Sequence, residues 1–170
     1  MHLVAAAIAA LLSWSLFEYS LHRFVFHWAP KSEWGRRFVF IMHGNHHEDP
    51  QDPTRLVMPP AGGILIATPL FFLFRAVLGI ELGEWFFAAF IVGYLCYDYT
   101  HFSVHFFRPR TGLGRWIKRY HMHHHFSTPD ARWGVSSPLW DYVFGTAGQN
   151  SPAREVSNNI SSNDARISSS

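Results

Sequence analysis

Cysteine is almost missing from this chain of 170 residues: Cys96 stands alone. One thiol can close no internal disulfide and build no thiolate metal cluster. Charge is scarce too. Asp, Glu, Lys and Arg make up 15% of the residues, against about a quarter in an ordinary soluble domain, so the chain has little with which to face water. No Lys or Arg precedes the first apolar stretch, residues 3–17, which runs straight into Glu18, His22 and Arg23. A secretory signal begins basic and ends at small residues, so this stretch is not expected to be cleaved. Neither a His-Glu-x-x-His sequence nor a Gly-x-Ser-x-Gly elbow is present, which sets aside the usual zinc-protease and serine-hydrolase layouts. With no basic helix or recognised binding motif, nucleic acid is not an expected partner.

Apolar residues, at 48%, and aromatics, at 17%, fill the space that charge leaves. They are concentrated in residues 3–17, 56–74 and 85–97, none of which holds a charge. Crossing the hydrocarbon core of a bilayer takes about 20 helical residues, and each stretch reaches that length with its flanks. Membrane spans are therefore expected at about 3–21, 57–80 and 85–105, with GIELGE at 79–84 as the return turn. Three buried helices of a soluble bundle are the alternative. Residues 1–146 read as one membrane-embedded domain. Residues 147–170 are polar and serine-rich, and are expected to be a disordered tail.

Histidine is the residue in excess, twelve in all where average usage would give roughly four. Ten fall into four groups: His22 and His27; His43, His46 and His47; His101 and His105; His121, His124 and His125. Offsets of three and four place imidazoles on one side of a helix, and neutral imidazole is the commonest protein ligand for zinc, copper and non-haem iron. Ten donors are too many for one ion and about enough for two. His22 and His27 differ by about 140° on an ideal helix, so they can share a site only where that helix ends, bends or bulges. His2 and His123 are set aside as non-ligands. Three spans bring all four groups to one membrane face. Of the fourteen Lys and Arg residues, only Arg75 lies toward the other end, which makes the histidine face cytoplasmic by the positive-inside rule. The expected fold is all-α: an integral membrane helical bundle under a cytoplasmic, histidine-rich cap for two metals, in a bacterial inner membrane or the endoplasmic reticulum.

Beyond the histidines, five segments carry a likeness. They are EYSLHRFVFH from Glu18, HGNHHEDPQDPTRLVMPP at 43–60, GYLCYDYTHFSVHF at 93–106, LGRWIKRYHMHHHF at 113–126 and WGVSSPLWDYVFGT at 133–146. Together they resemble the fatty acid hydroxylase and sterol desaturase superfamily, and within it the fatty acid 2-hydroxylases. Arg55 to Pro60 and Leu-Trp-Asp-Tyr at 139–142 narrow the match. The resemblance implies a membrane oxygenase that uses dioxygen and two metal ions, iron for catalysis with zinc as another occupant. It implies a hydroxyl group placed at carbon 2 of a long acyl chain, free or within a sphingolipid. The ten grouped histidines would be the ligands. Tyr97, Asp98 and residues 140–142 match positions near the site, with Asp98 orienting an imidazole through its free N–H. Many relatives carry a fused b-type cytochrome that is not seen in this sequence, so an external electron donor is expected, a b-type cytochrome or a ferredoxin-like reductase system. Relatives usually have four spans, and three are read here; the lipid-facing wall would be incomplete unless a second chain covers it, which leaves a homo-oligomer open. Two other readings stay open: a carotenoid or sterol-type hydroxylase or desaturase of the same superfamily, and a membrane protein that binds metal without turnover.

Overall fold

All three uncharged stretches give long helices, the second only from Pro60 onward. In the computed structural model, which describes residues 2–148 (His2 by its backbone alone), α1 runs over His2–Leu21 and opens into a wide π-helical turn at His22–Phe26. The segment from residue 149 onward, expected to be disordered, lies outside the described residues. Two short helices follow, α2 at Glu33–Val39, capped by the Ser32 hydroxyl, and α3 at Asn45–Glu48, joined by a second π turn at Phe40–Gly44. Next come α4 at Pro60–Leu78 and α5 at Ile80–Phe106. Then α6 covers Gly112–Phe126, with the Thr111 hydroxyl as its cap, and α7 covers Leu139–Val143.

The return between the second and third long helices is tighter than its sequence suggests. It is the single residue Gly79, at φ 83°; residues 80–84, expected in the turn, already belong to α5. A positive φ costs glycine nothing, so one residue reverses the chain. At the other end of α4, Pro60 sits at the first helical position, where its missing N–H leaves no bond unmade.

Helix α5 packs against both α1 and α4. Trp14 is the centre of the contact with α1: its ring meets Phe90 edge-on at 5.2 Å and Tyr94 at 5.5 Å. Gly93 makes that approach possible, since a Cβ there would lie 2.6 Å from Trp14 Cγ. Away from this seam the long helices turn apolar side chains outward. Ile64, Leu65 and Val77 of α4 are 66%, 69% and 70% exposed, and α4 buries no residue at all. Three buried helices of a soluble bundle are therefore not what forms. Among the described residues, three helices are long and apolar enough to cross a membrane: Leu3–Phe26, Pro60–Leu78 and Ile80–Phe106. At 1.5 Å per residue the first and third are about 36 and 40 Å long, longer than the roughly 30 Å hydrocarbon core. Their C-terminal turns carry His22, His101 and His105.

Candidate metal centre

The histidines of α1 come together because the helix widens there. The His27 N–H donates to the His22 carbonyl at 3.2 Å, the five-residue hydrogen bond that defines a π turn. That turn removes most of the 140° mismatch and leaves the two rings 5.0 Å apart, centroid to centroid. The second π turn does the same kind of work ahead of α3, where the Asn45 N–H reaches back to the Phe40 carbonyl. Insertions of this sort recur at functional sites because they re-aim side chains without ending the helix.

All ten grouped histidines meet, and they divide into two sets of five. His22, His27, His43, His47 and His124 form the first; His46, His101, His105, His121 and His125 form the second. In each, the ring nitrogens offered lie within 4.8 Å of one another. The two His-x2-His-His sequences are each split between the sets. On a helix, positions i and i+4 differ by about 40°, whereas i+3 and i+4 differ by about 100°. So His43 and His47 enter the first set and His46 crosses to the second, while His121 and His125 enter the second and His124 crosses to the first. Each set thus takes one pair from a long helix, one i, i+4 pair from a short helix and one histidine from the other short helix. His123 is exposed, and the side chain of His2 lies outside the described residues.

The spacing of the donors fits ions. Nε2 of His43 lies 3.1 Å from that of His22 and 3.0 Å from that of His47, which is 3.2 Å from that of His124. In the second set, Nε2 of His121 is 3.0 Å from those of His105 and His125. Two imidazole nitrogens at right angles on one ion, at metal–nitrogen bonds of about 2.0–2.1 Å, are about 2.8–3.0 Å apart. Tautomers strengthen the case. His22 and His124 donate through Nδ1–H to the carbonyls of Trp133, at 2.5 Å, and Ala131, at 2.8 Å. Both therefore turn a bare Nε2 lone pair toward their neighbours, an arrangement a cation relieves. His46 and His101 are buried with neither ring nitrogen paired to any described residue. Burial, followed by the nearby His124, pushes His27 down to about 3 and His46 to about 4 from an ordinary 6.5. His47 is pushed to about 2 by burial, then His124 and His27, and burial lowers His124 to about 4. These rings are neutral at neutral pH, the form that binds metal. The two sets are able to hold metal ions.

A family model described as fatty acid hydroxylase matches residues 7–146. The chain belongs to the fatty acid hydroxylase family. It is 38% identical over 144 residues to the dihydroceramide fatty acyl 2-hydroxylase FAH1 of Arabidopsis thaliana, a match covering 85% of this chain and 61% of that protein. It is 38% identical over 142 residues to the fatty acid 2-hydroxylase of Homo sapiens, covering 82% of this chain and 38% of that one. A solved structure described as full-length scs7p, with only the hydroxylase domain visible, superposes with a TM-score of 0.79 at 38% identity. That match covers 84% of this chain and 56% of the other. The chain spans about three fifths of the length of its plant relative and less of the human one.

In this family member, sequence reasoning left two carboxylates without a role. Glu18 and Asp141 are 5% and 0% exposed. Glu18 Oε1 accepts the N–H groups of Val135 and Ser136 at 2.8 Å each, and Oε2 accepts the Ser136 hydroxyl. Asp141 accepts the N–H groups of Trp133 at 2.9 Å and Gly134 at 2.8 Å, and the Thr146 hydroxyl at 2.7 Å. Together they hold the loop at 131–136 against the first histidine set. Arg132 in that loop adopts φ 63°, a left-handed conformation that costs a non-glycine residue about 1–2 kcal/mol; its N–H donates to the Thr146 carbonyl at 2.9 Å. A signal for Glu18 was available: an acid four residues before His22 in an apolar helix is expensive and needs partners.

Tyr97 and Asp98 are both half-buried on α5. The Tyr97 ring stacks on His101 at 5.6 Å. Asp98 hydrogen-bonds no imidazole among the described residues; the Nδ1–H groups of His22 and His124 go to backbone carbonyls instead. Of residues 140–142, only Asp141 is buried. Trp140 ties α7 to α1 through the Ser15 hydroxyl at 3.0 Å, and Tyr142 is exposed.

Proposed function

We propose that this chain hydroxylates a lipid acyl chain at carbon 2, free or within a sphingolipid, at a centre of two metal ions held by the ten grouped histidines. The convergence of those ten rings into two facing sets of five carries the reading. The printed activities of the plant and human relatives, dihydroceramide fatty acyl 2-hydroxylase and fatty acid 2-hydroxylase, give the substrate class. Two bound irons would supply activation of dioxygen and oxidation of an unactivated C–H bond. In balance, one oxygen atom enters the C–H bond and the other leaves as water, with two electrons from an external donor and two protons. All-imidazole sets add no negative charge, so the ions keep an electrophilic character that carboxylate ligands would lessen.

The residues between the spans suit an acyl chain. A groove of about 320 Å³ runs between α1, α4 and α5 and is walled by Trp14, Phe17, Leu70, Phe87 and Phe90 among others. Trp14, Leu21, Met58 and Tyr94 also line a smaller cavity that ends at Glu18, His22 and Tyr97. An alkyl chain in the groove would be kept from water and would point at the first histidine set. In this reading Tyr97 forms the wall between the chain and His101. The basic residues gathered near the histidines support a cytoplasmic position for that face, where an external b-type cytochrome or ferredoxin-like reductase system would deliver electrons.

The test is expression in membranes free of 2-hydroxylated lipids, with a reducing system, under oxygen-18 gas. The expected product is an acyl chain carrying one labelled hydroxyl at carbon 2. Metal bound without dioxygen consumption would leave a metal-binding protein only. Labelled sterol or carotenoid with unlabelled acyl chains would move the substrate to the other branch of the superfamily.

A further inference from the structure

We infer that Glu18 and Asp141 are positioning residues for one of the two ions alone, the one held by His22, His27, His43, His47 and His124. The inference rests on the two-ion reading above and goes past it, because the sets look equivalent by ligand count and are not equivalent in what holds them. Among the described residues, the hydrogen bonds and ring contacts that the loop at 131–136 makes to histidines all go to the first set. Its Ala131 and Trp133 carbonyls accept the Nδ1–H groups of His124 and His22. The Trp133 ring also stands edge-on to His22, His27 and His124, at centroid distances of 5.7, 4.8 and 5.3 Å. In the second set, Nδ1 of His46, His101, His121 and His125 has no protein partner among the described residues. The fifth ring, His105, has the Pro50 carbonyl nearby, which the loop at 131–136 does not supply.

The loop has no regular structure of its own, so its carbonyls stay in place only while something grips its N–H groups. The two carboxylates do that. Asp141 takes the N–H groups of residues 133 and 134, and Glu18 those of 135 and 136. Four successive peptide N–H groups are thus fixed by two side chains. Trp133 shows the coupling within one residue: its N–H is held by Asp141 while its carbonyl holds His22. Neither acid belongs to a ligand set. Each of the four carboxylate oxygens accepts from one or two donors of this loop or of residue 146, and none faces an imidazole nitrogen at hydrogen-bond distance among the described residues. Their action on the ion is through the orientation of His22 and His124. Orienting partners of metal-bound histidines are worth about 10- to 100-fold in metal affinity.

Asp141→Asn is the sharp variant. Either way round, its amide sets an NH2 against a backbone N–H that needs an acceptor. Zinc or cobalt is titrated into the purified, chelator-treated full chain in detergent, with the number of ions and each affinity as readouts. Two backgrounds separate the sets: His27→Ala weakens the first, His101→Ala the second. With His101→Ala, adding Asp141→Asn should lower affinity for the remaining ion about 10- to 100-fold. With His27→Ala, the same change should leave affinity for the remaining ion within about twofold. Ser136→Ala, which removes only one bond to Glu18, should show the same selectivity at a few-fold and keeps the test open if Asp141→Asn does not fold. Equal weakening in both backgrounds, or none with His101→Ala, overturns the inference while two ions on the unaltered chain keep the two-ion reading. Fewer than two ions on the unaltered chain overturns both.

Discussion

The two halves of this molecule reverse each other's rules. Around the histidines many of the buried residues are polar: Glu18, His46, His101, His121, His124 and Asp141 are each at most 5% exposed. Along the long helices the exposed residues are apolar, with Leu3, Ile64, Leu65, Val77 and Trp85 each at least 60% exposed. Each half is matched to a different surrounding. Lipid accepts the outer faces of α1, α4 and α5 without any specific contact. Buried imidazoles and carboxylates are costly wherever a polar atom lacks an ion or a hydrogen-bond partner. The polar half should therefore fail on single atoms, and the lipid-facing half should absorb changes of several.

The largest contrast should come from the histidines. His46→Ala or His124→Ala is expected to reduce hydroxylated lipid to background while the protein still inserts and accumulates in the membrane; lipid mass spectrometry beside a membrane-fraction blot checks both. Retained product in either variant would undo the ligand assignment. Next is Gly134→Ala. A Cβ there would lie 2.1 Å from the Ser137 carbonyl oxygen, so the loop must shift, and product formation should drop on the order of tenfold or more.

Acidity should act on the polar half alone. His27, His46 and His124 are held at about 3 to 4 in the fold and at an ordinary 6.5 when unfolded. Above 6.5 both states hold these rings neutral. As pH falls below 6.5 the unfolded chain takes up protons that the fold refuses, so stability is lost progressively until the folded rings also protonate. Chelator-treated protein should melt lower at about pH 5 than at about pH 7.5; an unchanged melting temperature would mean the rings are not buried neutral. Gly93→Ala brings a methyl group to 2.6 Å from Trp14 and should cost about 1–3 kcal/mol, read as a lower melting temperature in detergent. The smallest effect belongs to Val77→Ala on the lipid face, within about 0.5 kcal/mol. A large loss there would mean α4 is covered by protein and not lipid.

Much of the architecture was legible. Uncharged stretches of sufficient length mark α1, α4 and α5, and a short-range spacing of three and four marks the ligand-bearing turns. The arrangement of the supports was not legible. The resemblance suggested Asp98 as the acid that orients an imidazole, and it hydrogen-bonds none among the described residues; carbonyls of Trp133 and Ala131 orient the rings of His22 and His124. Carbonyls belong to every residue, so no residue type announces them. The π turn at His22–Phe26 is likewise a backbone choice, and its only trace in the sequence is an awkward spacing of five that a regular helix could not use.

By itself the sequence determined how many imidazoles there are, that they lie on helices, and that three crossings bring them to one end, because length, apolarity and periodicity are properties of local segments. Tertiary structure alone decided which five rings face each other, and which set is gripped by the loop that Glu18 and Asp141 hold. His46 and His47 are neighbours in the chain and part company in space, since the direction of a side chain is fixed by its own helix while its company is fixed by the helices packed around it.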